Sequence, residues 1–214
     1  MKLGEANKLL DAEFGDVLKK SGFKKSNYRF IKSIGDLYIK FLYTVIDSDI
    51  SFPSYFSYGI GSFTVTHILK KILPDKYDMP ATNYPISMGT GQFKLHDEGK
   101  YPVLEYDIYT EEDAKRMVTE VCDYILNVVL PRWEANPTLG YLEQEVNENL
   151  IDAPNFTGLI LAKLVGNPSY DRIKDHFMKI SMEWPGCDRS DLQKVLDFLD
   201  SHSREELIAL SDNV

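Results

Sequence analysis

Carboxylates are the commonest groups in this chain that could do chemistry. Glu143, Glu145, Glu148 and Asp152 fall within one short stretch. Two carboxylates act as an acid and a base only where unequal burial separates their proton affinities. The spacing gives no sign of that asymmetry. The stretch reads instead as a solvated acidic face near a helix end, with Glu143, Glu145 and Glu148 as its binding residues. The four histidines, His67, His96, His176 and His202, form no recognised ligand arrangement, and His176 reads as a surface residue. His96-Asp97-Glu98 is a loop cluster, but adjacent residues rarely converge on one ion. Gly59-Ile60-Gly61 and Gly89-Thr90-Gly91 lack the further glycine or lysine and the helix of a phosphate cradle. No Gly-x-Ser-x-Gly elbow is present, and no serine is singled out as a nucleophile. Cys122 lies in an apolar helical stripe and Cys187 in a turn, which is neither a disulfide framework nor a zinc site. The expectation is a chain with no metal, no cofactor and no identifiable catalytic residue.

A second group of residues points to recognition. Tyr28, Phe30, Tyr38, Phe41, Tyr43, Tyr55, Phe56 and Tyr58 crowd three strand candidates. Alternation sends about half of them to each sheet face. One face covers a core, and the other either packs under helices or exposes tyrosine, a residue favoured at interfaces. Tyr55 and Tyr58 are the candidate binding aromatics.

The elements that must position these residues follow from periodicity. Ala6, Leu9, Leu10, Phe14, Val17 and Leu18 mark one face of a helix over 5–20, closed by Gly22. Strands follow at 27–33 and 37–46, joined by an Ile34-Gly35-Asp36 turn, with a third at 54–63. A short helix over 65–73 stops at Pro74. Residues 74–104 are loop-rich, with further strands near 86–95 and 103–108. Thr110 caps a long amphipathic helix that Pro131 stops. More helices run near 138–148, 157–165, 169–182, 189–201 and 204–211. Breaks fall at Asp152–Asn155 and at Pro185-Gly186.

Composition bounds the function. The 214 residues are enough for one domain with a real core. With 43% hydrophobic residues, 13 Tyr and 11 Phe, the chain is not a disordered one. No apolar run approaches the ~20 residues of a membrane span, and residues 1–8 do not read as a signal peptide, so a cytoplasmic location is expected. The net charge of −9 is uneven: +4 over residues 1–45, −1 over 46–104 and −12 over 105–214. An acidic half repels phosphates, which disfavours nucleic acid and favours either plain solubility or a basic protein partner.

Leu18-Lys19-Lys20-Ser21-Gly22-Phe23-Lys24-Lys25, Tyr28-Arg29-Phe30, Gly35-Asp36 and Gly59-Ile60-Gly61, with Ile125–Pro131 and Trp133, resemble the bacterial domain-of-unknown-function 4304 family. The likeness covers roughly the first 65 residues and the long helix. It implies a helix followed by antiparallel strands and, because some members are similar to proteins encoded near toxin systems, an immunity or binding role. The expected fold class is therefore α+β: an N-terminal helix, a small antiparallel sheet and a C-terminal helical half packed on it in one domain, 1–109 carrying the sheet and 110–214 the helices. The expected function is a non-catalytic protein-binding module, with an enzyme of unrecognised active site as the alternative.

Overall fold

The structure is a computed structural model and describes residues 2–26, 29–48, 51–78, 85–90, 97, 99–148, 156–183 and 188–211. The fold is α+β, with an N-terminal helix, a small antiparallel sheet and a helical C-terminal half. Packing gathers the chain into two compact units. The first comprises Met1–Ile34, Tyr38–Gly59 and Gly89–Asn136; the second comprises Gly35–Leu37, Ile60–Met88 and Pro137–Val214. The long helix after Thr110 thus belongs with most of the sheet, and the C-terminal segment of the second unit begins at Pro137.

In the first unit, helix α1 (Leu3–Lys20) starts two residues earlier than periodicity suggests. The Glu5 carboxylate accepts the Lys2 backbone N–H at 2.7 Å and fastens that first turn. At the other end Gly22 takes φ +86°, and the Phe23 N–H reaches back to the Leu18 carbonyl at 3.0 Å. The next strand, β1 (Lys24–Ser26), pairs antiparallel with β2 (Arg29–Ile34), Lys25 opposite Phe30. Strands β3 (Leu37–Val45) and β4 (Phe52–Ser62) follow, and β5 (Met88–Gly89) and β6 (Glu105–Ile108) both lie beside β4. Tyr28 lies outside the described residues.

Phe14 stands at the centre of the core between α1 and the sheet. Its ring centroid lies 5.1 Å from Phe41, 5.2 Å from Tyr43 and 6.5 Å from Phe30. Helix α4 (Glu111–Tyr124) packs beside α1 and reaches the same sheet face, where Tyr124 meets Tyr58. Thr110 caps it as expected, accepting the Asp113 N–H at 3.2 Å.

The helix does not stop at Pro131. Ile125–Val129 form a π-helical turn in which the Leu130 N–H bonds the Ile125 carbonyl, five residues back. The chain then continues as α5 (Leu130–Ala135). A proline breaks a helix because it lacks a donor and crowds the preceding turn; a widened turn just before Pro131 relieves that conflict. Trp133, beyond the proline, is fully buried.

In the second unit, Ser62 caps α2 (Phe63–Ile72), its hydroxyl accepting the Val65 N–H at 3.1 Å, and Asp36 of the Gly35-Asp36 turn braces that cap. Its carboxylate accepts the Ser62 hydroxyl at 2.5 Å, the Thr64 hydroxyl at 2.8 Å and the Thr64 N–H at 3.1 Å. Pro74 ends α2 and also opens a short helix, α3 (Pro74–Tyr77). The remaining helices are α6 (Leu139–Asn147), α7 (Phe156–Val165), α8 (Tyr170–Glu183), α9 (Arg189–Ser201) and α10 (Arg204–Ser211). Helix α7 is apolar nearly all round, with Thr157–Ala162 all buried, so it forms the axis on which α2, α6, α8, α9 and α10 pack. Lys76 ties α3 to α9 through Asp188 at 2.8 Å and through the buried Asp191. The breaks expected at Asp152–Asn155 and Pro185-Gly186 lie outside the described residues. Among the described residues no helix is long and apolar enough to cross a membrane.

Candidate functional site

The sheet of the first unit has two faces of different chemistry. Helices α1 and α4 cover one, which carries Phe30, Phe41, Tyr43, Phe56 and Tyr58, all buried. Tyr55 and Tyr58 are an odd number of residues apart on one strand, so alternation puts them on opposite faces. Tyr58 is 1% exposed and unavailable to a partner, which removes it from the expected binding pair. Tyr55 faces the other way and is half-exposed.

Three strands build the surface around Tyr55. Ile46 donates its N–H to the Pro53 carbonyl at 2.8 Å, which sets the β3–β4 register and places Thr44 beside Tyr55. On the far side Tyr55 pairs with Glu105 and Pro53 with Asp107. The Tyr55 hydroxyl donates to Glu105 at 2.9 Å, and the Ser51 hydroxyl donates to Asp107 at 2.8 Å. The carboxylate that accepts its proton holds the Tyr55 hydroxyl above the ordinary phenol range.

Exposure alternates through β6 and its flanks. Val103, Glu105, Asp107 and Tyr109 are exposed, whereas Tyr106 and Ile108 are buried. With Ile46 and Tyr55 they make one outward surface in which apolar groups frame two carboxylates. Val103 is 61% exposed, Tyr109 52% and Ile46 46%, high values for large apolar side chains. The same face carries Arg29 and Lys40 on β2 and β3. Burial and the neighbouring guanidinium of Arg29 bring the Lys40 ammonium down to about 8.

Behind this sheet lies a buried hydroxyl chain. The Tyr58 and Tyr124 hydroxyls are 2.8 Å apart, Tyr124 donates to Asp97 at 2.6 Å, and Arg132 lies 3.7 Å from Asp97. Tyr101 packs against Phe56 and Tyr124, at 5.7 and 4.9 Å. Burial, more than any other influence, pushes the Tyr58 and Tyr124 hydroxyls above the ordinary phenol range. These phenols stay protonated at neutral pH and serve packing. Asp97, expected as a solvated loop residue, instead ends this chain; His96 and Glu98 lie outside the described residues.

The three predicted glutamates do not share a face. Each residue turns an α-helix by about 100°, so positions two and five apart point in different directions. Glu143 is 6% exposed, Glu145 is half-buried and Glu148 is exposed. Glu143 points inward and accepts the side-chain amides of Asn147 at 2.9 Å and Asn167 at 2.6 Å, both on Oε1. It therefore leaves the expected acidic surface. The exposed carboxylates beside Tyr55 are Glu105 and Asp107. The signal that finds them is the two-residue alternation over 103–109 within the sequence-predicted strand.

Among the described residues no group of three or more His, Cys, Asp or Glu side chains could hold a metal ion. His176 is half-buried rather than on the surface, and its Nε2 is buried without a hydrogen bond, as is that of His67. The Cys122 thiol is buried, and that burial pushes it up to about 12, as for a thiol that packs in a core. Cys187 lies outside the described residues. No protein-family model, curated protein or solved structure matches this chain.

Proposed function

We propose that this chain is a non-catalytic, immunity-like protein-binding module that docks a basic protein on the outward face of β3, β4 and β6. The exposed alternation of Val103, Glu105, Asp107 and Tyr109 beside Tyr55 and Ile46 carries this reading. Interface cores favour tyrosine and apolar groups, and charges at the rim speed and orient association. Here both lie on one surface, and its anionic centre fits a partner with lysine or arginine amid apolar side chains.

The test compares the wild type with a Glu105→Gln/Asp107→Asn variant and with Tyr109→Ser. A partner captured by the wild type from the native host is purified, and its binding to all three proteins is measured across salt concentrations. The charge variant should associate more slowly at low salt and approach the wild type at high salt. Tyr109→Ser should dissociate faster at every salt concentration. A partner whose rates none of these substitutions changes would show that it docks elsewhere.

A further inference from the structure

The second unit holds a cleft that the docking surface does not use. Glu143, Gln144, Asn147 and Glu148 of α6 and its end line one side, and Asn167, Ser169, Arg172 and Ile173 the other. Its volume is about 190 Å³, below the roughly 300–1,000 Å³ of sites for drug-sized ligands. A small polar molecule is the right size.

The chemistry of the walls is specific. Glu143 is nine-tenths buried, and no cation pairs with it among the described residues. A buried carboxylate without a counter-charge is costly, and amide donors offset only part of that cost. Both amides converge on Oε1, which leaves Oε2 as the oxygen the cleft can reach. The arrangement is rigid. Asn147 also donates to the Gly158 carbonyl at 3.0 Å, so its amide orientation is fixed by two acceptors. Asn167 uses its own oxygen to accept the Ser169 N–H at 2.7 Å, so its amide is committed to Glu143. The opposite charge stands across the cleft. Arg172 is exposed and makes no hydrogen bond or ion pair among the described residues. It sits in the first turn of α8, where the helix dipole adds to the attraction for an anion.

We infer that this cleft binds a small zwitterion, a free α-amino acid or a molecule with the same ammonium–carboxylate pair. The ammonium sits on Glu143 Oε2 and the carboxylate on the Arg172 guanidinium. A bound ammonium supplies the counter-charge that Glu143 lacks. The fork of a guanidinium takes a carboxylate with two parallel hydrogen bonds.

The test is an NMR titration of the full chain with the free proteinogenic α-amino acids, with methylammonium and acetate as the two halves. At least one amino acid should give saturable shifts at the amides of 167–173 at concentrations up to about 10 mM. Each half alone should bind roughly tenfold more weakly or worse. Arg172→Gln should cost roughly tenfold in affinity with thermal unfolding unchanged, since the side chain is exposed. Glu143→Gln should abolish the preference for the zwitterion over acetate; where that variant does not fold, Arg172→Gln decides. Saturation by no amino acid, equal binding of either half alone, or unchanged affinity in Arg172→Gln would each overturn the inference.

Discussion

The two units bury polar groups in opposite ways. In the first, a chain of hydroxyls runs from Tyr58 through Tyr124 to Asp97 and ends beside a cation, Arg132. In the second, two carboxamides converge on Glu143 and no cation closes the network among the described residues. A charge met by its counter-ion is part of the frame. A charge met only by dipoles is still able to take a ligand. The hydroxyl chain lies among aromatic rings, whereas Glu143 borders a mostly polar cleft, so the two networks differ in polar completion and in access.

The largest effect should come from the frame of the first unit. Phe14→Ala removes the ring on which Phe30, Phe41 and Tyr43 pack, and should cost about 3–5 kcal/mol in chemical denaturation. A loss below about 1 kcal/mol would mean that α1 is peripheral. In the second unit, Gly158→Ala strikes the amide network directly. A Cβ there would lie 2.8 Å from the Asn147 side-chain oxygen and 3.3 Å from Phe177 and Val146. It should cost about 1–3 kcal/mol and should also shift the amide resonances around Glu143. A neutral result would show that the network tolerates repacking.

Tyr124→Phe tests the complete network. It takes the Tyr124 hydroxyl away from both Asp97 and Tyr58, and should cost about 1–2 kcal/mol. Lys40 gives a pH-dependent contrast. Its folded proton affinity lies below the unfolded value, so the folded state binds fewer protons between about pH 8 and 10.5. The cost of the buried ammonium is fully present below pH 8 and fades as pH rises through that window. Discounting for partial solvent access, Lys40→Met should stabilise by about 1 kcal/mol at pH 7 and by less at pH 9.5. An identical difference at both pH values would rule out burial of the charged form. The smallest effect belongs to Glu105→Gln/Asp107→Asn, which should change stability by less than about 0.5 kcal/mol while slowing association with a basic partner.

Much of the fold is legible from pattern. The boundaries 189–201 and 204–211 follow from periodicity and turn residues alone, and the Gly35-Asp36 turn marks the hairpin. Strand β1 is hidden because its three residues are lysine-rich and gain their place by pairing with β2 and by the ion pair of Lys25 with Asp11 of α1. The site is legible in composition but not in geometry. Acidic and aromatic residues announce themselves, yet whether two of them share a face depends on the angle between their positions. Glu143 and Glu145 are close in sequence and point apart; Tyr55 and Glu105 are 50 positions apart and touch.

The π turn at Ile125–Val129 makes the helix carry one residue more than a regular spiral of the same rise. Removing one residue from this stretch would close the ordinary winding with the flanking turns in nearly the same phase. Trp133 and Arg132 would keep their places, and the loss would fall on Pro131, whose ring would crowd a normal turn. The extra residue is therefore slack that the proline uses up. A single deletion here should destabilise mainly through Pro131, and Pro131→Ala in the shortened chain should recover most of the loss in thermal unfolding.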